Sequence, residues 1–185
     1  MRLLSYLRDY FYRCGLWGNN MGRKILKFWI AVFAVIIAIL LVLTCSMLVE
    51  AHENEEQNMH EYIEIVCEDR NICPELVEAI IEMESNWNLD AQNGGCIGLM
   101  QVSEKWHRER MERLGVTDLT DPYGNILVGV DYLAELFDKY EDVGMVLLVY
   151  NGSSMANDYW DTGELSSYAE KILARSAELE RIHGK

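Results

Sequence analysis

Residues 79–102 read AIIEMESNWNLDAQNGGCIGLMQV. Leu76, Val77, Ile80 and Ile81 recur at three- and four-residue spacing, which predicts an amphipathic helix. Glu84 lies four residues after Ile80 and seven after Val77, so its carboxylate projects from the apolar stripe. A carboxylate on an apolar face loses hydration, and its pKa rises. Near neutral pH such a group holds a proton that it can donate, as breaking a glycosidic bond requires. Ser85 and Asn86 lead into a polar loop, where Gly94, Gly95 and Gly98 let the backbone turn closely beside the helix end.

Outward from this stretch the chain reads as helices. Glu61–Arg70 carries Ile63, Val66 and Cys67 at helical spacing and breaks at Asn71. Pro74 suits the first turn of the next helix, Pro74 to Glu84, whose Glu75, Glu78 and Glu82 are expected to form a solvated face. Ser103 is positioned to cap a helix through Arg113 that Gly115 closes. Within it Trp106, Arg110 and Arg113 either flank a cleft or do not. Ordinary packing is favoured for Trp106, and surface positions for His107 and the arginines. A helix from about Tyr123 to Tyr140 is predicted from Ile126, Val130, Leu133 and Phe137. Gly129 inside it suggests close contact with another helix, because a mid-helix glycine otherwise costs about 1 kcal/mol. Asp142–Tyr150 is a short buried helix or strand that leaves Tyr150 and Asn151 at its end. Ser166 or Ser167 starts a last helix with Tyr168, Ile172 and Leu173, after a loop holding Tyr159 and Trp160.

The 185 residues suffice for one domain and an appendage, and the net charge of −14 is unevenly spread. Residues 1–49 hold six Lys/Arg against one acid (+5), and residues 50–185 hold ten against twenty-nine (−19). So acidic a domain is a poor partner for nucleic acid. Residues 1–24 are basic and aromatic, either an amphipathic segment on anionic lipid or, the favoured reading, a cytoplasmic tail. Ile25–Val49 is apolar apart from Lys27, Thr44 and Ser46, longer than the roughly 20 residues a bilayer span needs. Basic residues precede it and Glu50, Glu53, Glu55 and Glu56 follow it. The positive-inside rule therefore puts the N-terminus in the cytoplasm and the rest of the chain outside the cell membrane. An uncleaved anchor is favoured over a signal peptide, whose apolar core is typically about 7–15 residues. Residues 50–60 read as an acidic tether or a frayed helix start, with His52 and His60 solvated, and residues 61–185 as the folded domain.

Of five cysteines, Cys14 precedes the span and Cys45 lies inside it, leaving Cys67, Cys73 and Cys96. Three pairings are open to them. Cys67–Cys73 is favoured because the Asn71-Ile72 turn can bring the two together. No Cys-x-x-Cys or paired histidine accompanies them, so neither a metal nor another cofactor is expected.

Glu84-Ser85, Gly98-Leu99-Met100-Gln101, Tyr123–Leu133 (YGNILVGVDYL), Tyr150-Asn151-Gly152 and Tyr168 together resemble the soluble lytic transglycosylase (SLT) family, related to goose-type lysozymes. The likeness runs from about Glu61 to Ser176 in the family's order and spacing. It implies a mainly α, lysozyme-like helical domain behind the single N-terminal transmembrane helix, with peptidoglycan glycan strands as partner. It also implies a single acid/base, Glu84, cleaving the bond between N-acetylmuramic acid and N-acetylglucosamine with a 1,6-anhydro product. The remaining roles follow by motif. Ser85 and Gln101 orient the glutamate or hold the acetamido sugar, with simple capping an equal alternative for Ser85. Tyr150 and Asn151 line the cleft, and Tyr168 brings its hydroxyl near Glu84. Each tyrosine also reads as a half-buried core residue, Met100 as core, and Tyr159 and Trp160 as sugar-stacking or not. Cys96 stands where the family usually has alanine, and Gly-Ser-Ser follows the Tyr-Asn pair where Ala-Gly is common. Two other readings stay open: a muramidase that uses water on the same bond, and a non-enzymatic wall-binding subunit of an envelope-spanning transfer apparatus.

Overall fold

The computed structural model describes Tyr10 and residues 20–185. Most of the basic, aromatic segment 1–24, with Cys14, lies outside the described residues. The chain divides into two units, Met1–Glu55 and Glu56–Lys185.

Helix α1 spans Asn20–Glu68, and its residues up to Glu55 belong to the first unit. Phe28, Phe33, Leu41, Val42 and Leu48 are all more than half exposed. It is the one helix among the described residues that is long and apolar enough to cross a membrane. At 1.5 Å per residue, about 20 residues cover the roughly 30 Å of a bilayer's hydrocarbon. The two hydroxyls within the apolar run are satisfied by the helix itself: Thr44 Oγ1 donates to Leu41 O at 3.0 Å and Ser46 Oγ to Leu43 O at 2.9 Å. A hydroxyl without water needs such a partner.

Residues 51–60, expected as a tether or frayed start, are helical. No Gly or Pro occurs from Arg23 to Cys73, and Glu, Gln, Met and Ala favour helix without needing an apolar face. In the second unit the end of α1 buries Met59, Ile63, Val66 and Cys67. It stops where Asn71 turns left-handed at φ 53° and Ile72 N donates back to Cys67 O at 3.0 Å.

Helix α2 (Pro74–Ser85) begins with proline in its first turn and ends at Asn86 in the left-handed region. Between it and α3 (Glu104–Leu114) lies a short hairpin, β1 (Gln92–Asn93) against β2 (Cys96–Ile97), antiparallel with Asn93 opposite Cys96. Gly94 and Gly95 make its two-residue turn, both with positive φ. Ser103 sits at the start of α3 without capping it through its side chain, and His107 leaves helical geometry at φ −117°, ψ 16°. Helix α4 (Pro122–Tyr140) is capped by Asp121, which accepts from Gly124 N at 2.7 Å. Helix α5 (Val143–Tyr150) resolves the helix-or-strand ambiguity. A 3-10 turn (Ser154–Asn157) and the single turn α6 (Tyr159–Thr162) lead to α7 (Ser167–His183), capped by Ser166.

The second unit is mainly α, with α7 along α2 and α5 against α4. Its core is Ile80 and Ile81 of α2, Leu99 and Met100 of the following loop, Ile126 and Leu133 of α4, Leu147 and Leu148 of α5 and Ile172 of α7, all fully buried. Each such side chain contributes about 1.5–3 kcal/mol over an exposed one. The apolar stripe of α2 runs along α7, with Glu84 at its end.

Glu75 and Glu78 are 1% and 4% exposed, not solvated. Glu75 meets Lys185 Nζ at 2.7 Å, His183 Nδ1 at 3.0 Å and the Cys73 thiol at 3.2 Å, and Glu78 meets His60 Nδ1 at 2.7 Å. His60, expected to be solvated, also lies against the Trp87 ring at 4.8 Å. Cys67, Cys73 and Cys96 are free thiols, so the favoured Cys67–Cys73 bond is not formed. Burial pushes the Cys67 thiol up to about 12, and the Cys73 thiol points at the Glu75 and Glu180 carboxylates. Trp106 is 76% exposed, not packed. Arg110 is withdrawn from the surface between Asp131 at 2.6 Å and Glu135 at 2.5 Å.

Candidate active site

Glu84 sits in the last turn of α2, four residues beyond the fully buried Ile80, and is itself half-buried. Burial raises its pKa, and a hydrogen bond from Tyr168 works in the opposite direction without cancelling the rise. Tyr168 OH, on the first turn of α7, donates to Glu84 Oε1 at 2.5 Å. Burial and the facing Glu84 charge push the Tyr168 hydroxyl pKa far up, so the phenol stays a donor. A donor aimed at the carboxylate favours its charged form, while the apolar surroundings favour the protonated one. The balance suits a group that gives up a proton and later takes one back.

Tyr150, at the end of α5, is close enough for the Glu84 charge to raise its hydroxyl pKa further after burial has done so. Its OH donates to Met100 O at 2.9 Å. Cys96 on β2 responds to Glu84 in the same way, burial first and the carboxylate second. Tyr168 thus touches Glu84, while Tyr150 and Cys96 lie within reach of its charge.

Three other candidates are engaged differently. Ser85 Oγ donates to Ile81 O at 3.1 Å, a bond within its own helix. The Gln101 amide donates to Ala91 O at 3.1 Å and Gly98 O at 2.9 Å, closing its own loop, and its backbone is left-handed at φ 47°. Asn151 is exposed at the C-terminal cap of α5, where its N–H bonds back to Leu147 O and Val149 O.

Glu82, the neighbouring acid, accepts from Arg175 at 2.6 and 2.8 Å and is held away on the α7 side. Asp90 is exposed in the loop. Tyr159 packs its ring tip against Gly144, and Trp160 is 63% exposed. Among the described residues no group of three or more His, Cys, Asp or Glu could hold a metal ion.

Asn125 is the residue that sequence reasoning missed. It is fully buried on α4, and both its amide N–H groups and its oxygen are engaged. Nδ2 donates to Ile97 O at 2.8 Å and Leu119 O at 3.0 Å, and Oδ1 accepts from Met100 N at 2.9 Å. Met100 therefore joins α4 through its N–H and α5 through its carbonyl, fixing the loop on which Tyr150 rests. A Cβ at Gly98 would collide with the Asn125 amide, and φ there is +75°, so position 98 excludes a side chain on both counts. A Cβ at Gly129 would overlap Met100, so the close contact expected of that glycine is made with the loop and not with a helix. The available signal was a polar Asn within the apolar stripe of α4, four residues before Gly129.

The profile of the transglycosylase SLT domain family matches residues 61–171. A transglycosylase of Enterobacteria phage PRD1 is 36% identical over 105 residues, 56% of this chain and 37% of the phage protein. The membrane-bound lytic murein transglycosylase F of Desulfosudis oleivorans is 39% identical over 70 residues, 37% of this chain and 14% of that protein. The chain thus spans well under half the length of either relative. Among solved structures, an inactive mutant of the lytic transglycosylase Slt from Pseudomonas aeruginosa aligns with a TM-score of 0.59 at 20% identity, over 67% of this chain and 24% of that one. The soluble lytic transglycosylase of Escherichia coli aligns with a TM-score of 0.58 at 19% identity, over 68% and 24%. These structures show a shared lysozyme-like helical fold.

Proposed function

The chain belongs to the transglycosylase SLT domain family, and from that premise we propose that it is a membrane-anchored peptidoglycan lytic transglycosylase with Glu84 as its acid and base. The observation that carries the reading is a half-buried carboxyl at the end of an apolar stripe, its pKa raised and one tyrosine hydroxyl aimed at it.

Protonated Glu84 gives its proton to the oxygen between N-acetylmuramic acid and N-acetylglucosamine. The C1–O bond breaks, the N-acetylglucosamine side leaves as an alcohol, and the muramyl 2-acetamido oxygen supports the cation at C1. Glu84, now a carboxylate held by Tyr168, takes the proton from the muramyl 6-hydroxyl as that oxygen closes on C1. The product is a 1,6-anhydro sugar, no water is consumed, and Glu84 ends protonated. A second carboxylate has no part in the sequence, in keeping with Glu82 being committed to Arg175. Tyr150 and Asn151 at the end of α5, and Gln101 and Ser85 beside the loop, are the side chains we assign to the sugar flanking the bond, directly or through the backbone they brace.

The apolar run of α1 is the membrane anchor in this reading. The basic residues before it and the acidic ones after it favour a cytoplasmic N-terminus and a catalytic domain outside the membrane. Digestion of purified peptidoglycan by the native chain and by Glu84→Gln, followed by mass spectrometry, tests the proposal. The native protein should release fragments ending in anhydromuramic acid, and Glu84→Gln at least 100-fold fewer, since proton transfer by a placed side chain is worth about 10²–10⁴ in rate. Reducing ends instead would make the protein a muramidase, and equal release by both proteins would leave glycan binding without catalysis.

A further inference from the structure

The chain leaves α2 by a turn that one of its residues does not favour. Asn86 and Trp87, just beyond Glu84-Ser85, both have positive φ, 51° and 60°. Asn88 N closes the turn on Ser85 O at 3.1 Å. Two left-handed central residues under such a bond make a mirror-image turn suited to glycine and asparagine. Asn86 meets that demand. Trp87 does not, because a bulky residue at positive φ is an outlier that persists only where its surroundings hold it.

Two contacts hold the indole. One face packs against the core, and the His60 imidazole of α1 lies against the ring with centres 4.8 Å apart. His60 is itself fixed: its Nδ1 meets Glu78 Oε1 at 2.7 Å, and Glu78 is only 4% exposed. Glu78 stands on α2 six residues before Glu84, and Trp87 follows Glu84 by three. His60 therefore grips the acid's helix on one side of the acid and the strained turn on the other. The chemistry assigned above uses neither His60 nor Trp87. A helix frays first from its last turn, whose carbonyls lack partners within it, and Glu84 stands in the last turn of α2. Fraying there would carry the carboxyl into water and away from the Tyr168 hydroxyl.

We infer that His60 is a positioning residue for Glu84: anchored on buried Glu78, it holds Trp87 in the left-handed turn and so keeps the last turn of α2 closed around the acid. The inference rests on the proposed function in taking Glu84 as the acid. His60 acts only through Trp87 and touches no reacting atom.

The test is a double-mutant cycle read at the Glu84 carboxyl of the full-length protein in detergent, carbon-13 labelled at glutamate. His60→Gln keeps a donor for Glu78 and removes the ring over Trp87, and Trp87→Ala removes the other half of the contact. Each should lower the Glu84 titration midpoint toward the ordinary glutamate value by about half a pH unit. Each should also cut kcat on peptidoglycan about tenfold, with KM changed by less than about twofold. The double variant should do no more than Trp87→Ala alone, because the histidine works through that ring. Trp87→Phe, which keeps a ring for His60, should restore most of both values. A midpoint unmoved in folded His60→Gln, effects of the two changes that simply add, or a Trp87→Phe protein as impaired as Trp87→Ala overturns the inference. A His60 that served stability alone would lower the unfolding temperature and leave the midpoint of the folded protein in place. The midpoint is read without turnover, so a native chain that releases no anhydromuramyl ends fails the proposed function and leaves this test standing.

Discussion

At the scale of single residues, Glu84 and Tyr168 set each other's protonation. Burial lifts the Glu84 pKa and the Tyr168 hydrogen bond holds it partly down. As the proposed general acid, Glu84 works only while protonated, so activity should fall as pH rises through this raised value. Tyr168→Phe removes the opposing bond without opening a cavity, and the Glu84 pKa should rise further. The alkaline limb of kcat/KM should then move to higher pH while kcat drops about tenfold, because the carboxylate left after proton donation has lost its donor. A limb that stays in place would separate Tyr168 from the acid. The position of Glu84 was legible from spacing alone, since it depends on residues within one helix. The fates of Gln101 and Ser85 were not. Whether an amide points at a sugar or at Ala91 O depends on a loop conformation with φ 47° at Gln101, and no local pattern specifies that.

At the scale of elements, the pairing of α7 with α2 is held by polar contacts along its length: Tyr168 to Glu84, Arg175 to Glu82, and His183 with Lys185 to Glu75. Glu75 illustrates why the sequence misled. A Glu one position after a proline at a helix start reads as surface, and its charged partners, His183 and Lys185, lie over a hundred residues away at the end of the chain. Burial by itself would raise its pKa, but the bonds from Lys185, His183 and Cys73 prevail and hold it at about 2. Its folded value is below its unfolded one, so this stabilisation is present above about pH 4.5 and is lost as pH falls toward 2. Glu75→Gln should therefore cost about 2 kcal/mol in denaturant unfolding at pH 7, discounted for the exposed lysine, and the difference should shrink as the pH is lowered. A pH-independent difference would mean that packing, not charge, is what Glu75 supplies. The long periodic helices α2 and α4 were readable because each repeats its apolar spacing over three turns or more. The hairpin was not, because strands of two residues cannot display alternation, even though Asn93-Gly94-Gly95 carried the turn signal. The run 51–60 read as a tether or a frayed helix start for a related reason: residues 51–55, 57 and 58 are exposed, so there is no stripe to read.

At the scale of the whole molecule, the charge break near residue 50 and the apolar run before it describe a chain with two environments. The acidic second unit suits water, and the exposed leucines, isoleucines and phenylalanines of α1 suit lipid. In intact spheroplasts, external protease should digest the 56–185 unit and spare an epitope fused to the N-terminus. The reverse pattern would overturn the orientation. In the proposed reading, a wall-cutting domain tied to the membrane acts only within reach of its anchor.

Glu84 should keep its proton at a pH where ordinary carboxyls have lost theirs. Nuclear magnetic resonance of the protein carrying a carbon-13 label at glutamate carboxyls, with Glu84→Gln used to assign the signal, measures this directly. The Glu84 signal should titrate above the usual glutamate value of about 4.3, and higher still in Tyr168→Phe. Titration at or below that value in the native protein would contradict the account.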